Sequence, residues 1–278
     1  MRPLQNDLFV DLQRFCNGLI IFTADCMEQL ELKAGKKVYF ASDFHFGIPD
    51  AAKSRERERR VCAWLREIAQ DAQRVYLLGD LFDAWMEYDR VVPKGSIRFF
   101  GQLAAMRDAG IEVEVFTGNH DLWMRGYFEE ELQIPVHKEL KEVSISGKKF
   151  ILGHGDGISP AEKKYRLLKG LLHQPLLQWV YRKLHPDWGL AIADYFSRLG
   201  PKHKYENLEM KEEGEEYQLQ FAALYLQKQD CDYFVFGHRH IPLYKELNEK
   251  TVFVNLGDWL NLNTYAVFDG KTMSLKKY

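Results

Sequence analysis

Five short apolar runs, at residues 38–41, 75–78, 113–116, 150–152 and 233–236, each lead directly into a block of polar, chemistry-bearing residues. The blocks are Asp43-Phe44-His45, Gly79-Asp80, Gly118-Asn119-His120-Asp121, Gly153-His154 and Gly237-His238-Arg239-His240. Continuous apolar runs of this length read as parallel strands buried on both faces. Metal-ligand residue types at the carboxyl ends of such strands would share one edge of a sheet, where open α/β folds place their sites.

The intervening segments fit that architecture. Residues 53–70 carry Val61, Trp64, Leu65 and Ile68 at helical spacing, with the charged run 55–60 expected as a solvated face. A second helix spans about 97–109 and stops at Gly110. This β-α-β-α order implies right-handed crossovers. Shorter alternating runs at 142–146, 243–247, 252–256 and 265–269 suit a second sheet with antiparallel pairing. The expectation is an α/β (α+β) fold of two packed sheets flanked by helices.

Between 155 and 216 the pattern changes to Leu-, Trp- and Tyr-rich helical segments studded with cations and divided by Pro175, Pro186 and Pro201. This segment, at about 156–216, reads as a helical insertion in a domain spanning 37–278, with a last helix at about 217–229 returning the chain to the strand before His238. Residues 1–36 carry no motif and read as a dispensable extension, and Met27 would serve equally well as a start.

Composition narrows the function classes. In 278 residues, 46% apolar and 14% aromatic, a substantial core is available. A net charge of -2 gives no bulk attraction for nucleic acid. Cys16, Cys26, Cys62 and Cys231 are too scattered for a zinc ribbon or a disulfide framework, so a reducing compartment is the simpler reading. The apolar run 18–24 is too brief for a membrane span or a signal segment, and a soluble cytosolic protein is expected.

Mixed imidazole, carboxylate and amide ligands suit divalent Mn, Fe or Zn, and one carboxylate can bridge two ions. Asp80 is the bridging candidate. Asp43, His45 and His240 would complete one site, and Asn119, His154 and His238 the other. His120 is assigned to the substrate, where it could stabilise phosphoryl charge or protonate a leaving oxygen, with Asp121 orienting its imidazole. The opposite assignment, His120 as ligand and Asn119 as bystander, stays open on the residues alone. Trp85 and Trp259 read as core aromatics, Asn255 and Asp258 as turn residues, and His137, His173, His185 and His203 as surface or packing histidines. A single Gly-Asp or Gly-His pair says little; five such blocks in this order say much more.

The set D-x-H, G-D, G-N-H-D, G-H and G-H-x-H, from about residue 38 to the C-terminus, resembles the calcineurin-like metallophosphoesterases. Within them, Gly79-Asp80-Leu81-Phe82-Asp83-Ala84-Trp85, His154-Gly155-Asp156, the insertion and Gly237-His238-Arg239-His240-Ile241-Pro242 resemble the UDP-2,3-diacylglucosamine diphosphatases of lipid A synthesis. That resemblance implies two mixed sheets flanked by helices, a manganese pair and attack on the uridine-linked phosphate. The products would be UMP and 2,3-diacylglucosamine 1-phosphate, with the insertion as a lid for acyl chains. Glu162, Lys163 and Tyr165 match substrate-contacting positions more loosely. His120 departs from the Arg of the best-characterised members and agrees with the wider superfamily.

The insertion's apolar residues stand beside Lys163, Lys164, Arg166, Lys169, Arg182, Lys183 and Arg198, an amphipathic composition suited to an anionic lipid at the inner membrane surface. Ordinary core-packing helices share that composition. A broader phosphodiesterase or phosphatase acting on nucleotides or phosphoproteins would use the same ligands. A metal-free binding scaffold would be expected to lose them.

Overall fold

The computed structural model describes residues 27–199 and 216–278, and in it the five runs are strands divided between two six-stranded sheets. The first sheet holds β2 (Lys37–Ala41), β3 (Ala72–Leu78), β4 (Glu112–Phe116) and β5 (Val136–His137), all parallel. It is extended by β11 (Thr264–Phe268) and β12 (Met273–Lys277), which run antiparallel. The second sheet has the order β1 (Glu28–Leu30), β6 (Lys141–Ile145), β7 (Lys148–Leu152), β8 (Tyr233–Phe236), β10 (Val252–Leu256) and β9 (Pro242–Glu246).

Two expectations are corrected here. Three of the four alternating runs do fall in the second sheet with antiparallel pairing, β6 against β7 and β10 against β9, but the fourth, β11, joins β2 in the first, so both sheets are mixed. The ligand blocks accordingly lie on the ends of two sheets, three on one and two on the other. The presumed extension also reaches into the fold, because β1 pairs in parallel with β6 from Glu28↔Val143 to Leu30↔Ile145. A three-residue edge strand is too short to show a period.

Strand alternation sorts side chains into three cores. Val38, Phe40, Tyr76, Leu78 and Phe116 from the first sheet meet Val143, Phe150, Leu152, Val235 and Val254 from the second. Each such fully buried side chain contributes about 2 kcal/mol. The outer face of the first sheet packs on α1 (Ala51–Ile68) and α2 (Ile97–Asp108) through Val61, Trp64, Leu65, Phe99 and Leu103. The outer face of the second is covered by α7 (Tyr217–Leu226) through Leu219, Phe221, Ala222 and Tyr225.

Helix α1 starts where the Asp50 carboxylate accepts the N–H groups of Ala52 and Lys53 at 2.8 and 2.9 Å. Its charged run is not wholly solvated, since Arg57 and Glu58 are buried. Arg57 donates to the carbonyls of His45 and Ile48, and Glu58 accepts the first N–H groups of α2, from Arg98 and Phe99. Both do backbone work that periodicity cannot reveal.

The insertion forms α4 (Lys163–Leu172), α5 (Pro175–Tyr181) and α6 (Pro186–Leu199), with Pro175 and Pro186 at first turns. A short α3 (Tyr127–Leu132) follows the third ligand block. Residues 1–26 and 200–215, among them Cys16, Cys26, Pro201 and His203, and the side chain of Arg198 lie outside the described residues. Cys62 and Cys231 are buried and free. No helix among the described residues is long and apolar enough to cross a membrane.

Candidate metal centre

Three of the five blocks, the first, second and last, leave their strands through a turn that a candidate ligand itself makes. Asp43, His45, Asp80, His238 and His240 all adopt φ between 45° and 70°, a left-handed conformation that costs a non-glycine residue free energy and clusters at functional sites. The loops are laced together by main-chain bonds: Asp43 N–H to Gly79 O (3.0 Å), His45 N–H to Asp80 O (2.9 Å) and Gly237 N–H to His154 O (3.0 Å). Packing is so close that a Cβ on Gly118 would lie 2.2 Å from Asp80 Oδ1. The glycine before Asn119 is therefore a steric requirement.

These turns bring together all seven residues named from the sequence. His240 Nε2 lies 3.3 Å from Asp43 Oδ1 and 3.3 Å from His45 Nε2. His154 Nε2 lies 3.2 Å from Asp80 Oδ2 and 3.3 Å from Asn119 Oδ1, which is 2.9 Å from His238 Nδ1. Asp80 Oδ2 also stands 3.6 Å from His45 Nε2, so its carboxylate faces both groups. Donors bonded at about 2.0–2.2 Å to a common ion stand about 3.0–3.4 Å apart, and the spacings here run from 2.9 Å between Asn119 and His238 to 3.8 Å between Asp43 and His45.

The electrostatics fit cations as well. Burial opposes charge on His45 and His154, yet the carboxylates around them win and push both imidazoles up to about 10. Asp43 and Asp80 are themselves buried, but the surrounding imidazoles hold their carboxyls below the usual range. His238 goes the other way, down to about 4, through burial and the neighbouring His154. A pair of buried carboxylates that draws protons onto adjacent imidazoles is a pair that a divalent cation would satisfy better.

Residues 36–242 match the calcineurin-like phosphoesterase family. The chain belongs to that family. It is a metal-dependent hydrolase, and the family implies a dinuclear divalent site. A UDP-2,3-diacylglucosamine hydrolase from Porphyromonas gingivalis is 37% identical over 86% of this chain and 97% of that protein. Proteins of the same name from Serratia proteamaculans and Vibrio vulnificus are 26% and 25% identical, over 79% and 70% of this chain and 90% and 80% of theirs. Among solved structures, a dimetal phosphatase from Danio rerio aligns at TM-score 0.43 and 14% identity, over 87% of this chain and 95% of its own. A zinc-bound Vps29 from Entamoeba histolytica aligns at TM-score 0.41 and 16% identity, over 86% and 96%.

In this phosphoesterase the rear nitrogens of the imidazoles are backed by groups the sequence reading did not pick. His154 Nδ1–H donates to Leu78 O at 2.8 Å, leaving Nε2 for an ion. Asp258 stands 3.4 Å behind His240 and Asp83 stands 3.5 Å behind His45. Asn255 and Gln218 both donate to Gly237 O, steadying the His238 turn. Spacing alone cannot flag such residues, because their partners lie on distant loops.

One assignment is corrected. Asp121 does not orient His120; its buried carboxylate accepts the N–H groups of Gly118 (2.6 Å) and Leu81 (2.7 Å), tying the second and third blocks together. Burial and the nearby Asp80 push its carboxyl up to about 6. His120 is oriented through Asp83: its Nδ1–H donates to the Asp83 carbonyl at 2.8 Å, and Asp83 Oδ1 lies 3.6 Å away. A ring nitrogen of His120 also stands within 4.8 Å of donor atoms of His45 and Asp80.

The loosely matched residues sit at the root of the insertion. Tyr165 donates its hydroxyl to Asp156 Oδ2 at 2.7 Å, Glu162 accepts Ser159 N–H at 3.2 Å, and Lys163 is exposed. His137 pairs with Glu114, His173 bonds within its own helix, and His185 stands beside Asp187, as packing or surface histidines do.

Proposed function

We propose that this phosphoesterase hydrolyses the pyrophosphate of UDP-2,3-diacylglucosamine to UMP and 2,3-diacylglucosamine 1-phosphate. The observation that carries this reading is the insertion's apolar surface. No residue of α4 or α5 is buried, and Leu167, Leu176 and Trp188 are 76%, 72% and 68% exposed. Yet α4 is anchored beside the candidate centre by Lys169 to Asp156 (2.7 Å) and by Trp123 Nε1–H to Leu172 O (2.9 Å). Exposed apolar area on this scale marks a binding surface, and acyl chains or a membrane face are its matching chemistry. The name shared by the relatives supports the choice of head group. A phosphodiesterase of water-soluble substrates would leave that surface without a purpose.

Asp43, His45 and His240 would hold one ion, Asn119, His154 and His238 the other, with Asp80 between them and manganese as the expected metal. When bound, two divalent cations supply Lewis acidity to the phosphoryl group and to the attacking water. His120 Nε2 serves the substrate. The departing sugar phosphate is already a weak base, so the ring's task is to hold charge on the phosphoryl oxygens rather than to protonate the leaving group. Glu162, Lys163 and Tyr165, at the insertion's root, would border the substrate. Location in the cytoplasm, peripheral to the inner membrane, follows from such a substrate. Release of UMP from UDP-2,3-diacylglucosamine by the manganese-supplemented protein tests the reading, with bis(4-nitrophenyl) phosphate alongside. Turnover of the aryl diester without the lipid would overturn the substrate and keep the chemistry.

A further inference from the structure

Among the described residues, three contacts tie helices α4 and α6 of the insertion to the loops of the candidate centre, and each falls two to four residues beyond a candidate ligand. Asp156 follows His154 and takes Lys169 and Tyr165 from α4. Trp123 follows Asn119 and His120 and donates to Leu172 O. Asp83 follows Asp80 and takes Ser197 from α6, at 2.5 Å between Ser197 Oγ and Asp83 Oδ2. The third contact differs in what lies behind it. Asp83 Oδ1, on the far side of the same buried carboxylate, faces Nδ1 of His45 at 3.5 Å and Nδ1 of His120 at 3.6 Å.

We infer that Ser197 is a positioning residue through which a seated insertion fixes the orientation of His120. Resting on the role proposed above for His120, the inference adds the residue that decides when that ring is ready. A carboxylate flanked by two imidazoles can rotate towards either; a hydroxyl donated to one oxygen pins the plane in which the other sits. Ser197 Oγ is also 3.4 Å from His120 Nδ1, so the hydroxyl lines the space in which the ring would tilt. With α6 lifted, Asp83 keeps its backbone carbonyl bond to His120 but loses the restraint on its side chain. The centre then becomes fully ordered only when the apolar helices are in place, which links substrate seating to chemistry.

The test uses Ser197→Ala and Ser197→Thr in the full chain, with His120→Gln as the reference. In 15N-histidine-labelled protein stripped of metal by chelation, Ser197→Ala should move the His120 ring resonances and leave those of His173 and His185 in place, while Ser197→Thr should restore the parent spectrum. With manganese and bis(4-nitrophenyl) phosphate, Ser197→Ala should lower kcat about tenfold with KM within about twofold, and Ser197→Thr should retain the parent kcat. An unmoved His120 resonance, or a kcat loss shared equally by the threonine variant, would overturn the inference. If His120→Gln itself keeps the parent kcat, it is the proposed role of His120 that fails. The His120 resonance then decides the Ser197 contact alone.

Discussion

At the scale of single residues the candidate centre depends on close approach and shared oxygens. Asp80 faces both donor groups, so Asp80→Ala is expected to lose both ions by elemental analysis and all turnover. His120→Ala should keep both ions and lose about 100-fold in kcat. Equal metal loss in the two variants would move His120 into the ligand set. Gly118→Ala tests the packing from the other side: its added Cβ collides with Asp80, and both metal content and melting temperature should fall. A variant that keeps two ions per chain would mean the loop yields more easily than its contacts indicate.

At the scale of elements, the insertion and the first strand behave in opposite ways. Leu167 and Leu171 lie one turn apart on α4 and are both exposed. Replacing both with Gln should therefore change stability by less than about 0.5 kcal/mol while raising KM for the lipid substrate several-fold and leaving aryl diester turnover intact. Unchanged KM would detach the apolar surface from substrate binding. Strand β1, by contrast, is integral: Leu30 belongs to the inter-sheet core and Glu28 pairs with Arg74 and Lys141. Removing residues 27–32 should lower the melting temperature by several degrees, read by calorimetry.

At the scale of the whole molecule, the two sheets are joined by a buried ion cluster as well as by apolar packing. Glu114 of β4 meets Arg74 at 2.9 Å, Lys141 at 2.6 Å and His137 at 2.7 Å, and so joins β3 and β5 of its own sheet to β6 of the other. Burial disfavours its charge, but these three partners prevail and bring its carboxyl down to about 2, from an ordinary value of 4.5. The depressed value means that the cluster's stabilisation is whole above about pH 4.5 and is lost as pH falls through about 2. Melting temperature followed over that interval should fall more steeply in the parent than in Glu114→Gln, which should already be less stable at pH 7 by about 2 kcal/mol. Parallel curves would place the acid sensitivity elsewhere.

What the chain's own order of residues determined is local and repetitive: apolar runs long enough to be buried strands, ligand types at their ends, glycines before them, and helices with one apolar face. Those properties are set within a few residues, by backbone period and by the donor chemistry of side chains, and they carried the seven candidate ligands, with Asp80 facing both groups. Tertiary structure alone decided which sheet each strand joined, because register and neighbour depend on side chains hundreds of positions apart. It likewise decided that β1 belongs to the fold, that Arg57 and Glu58 serve backbone groups from inside, and that Asp83 rather than Asp121 stands behind His120. Each of these rests on a hydrogen bond across 9 to 41 residues or on pairing between distant strands. Such partners leave no period in the sequence, since a polar group is satisfied by whatever the fold brings near it.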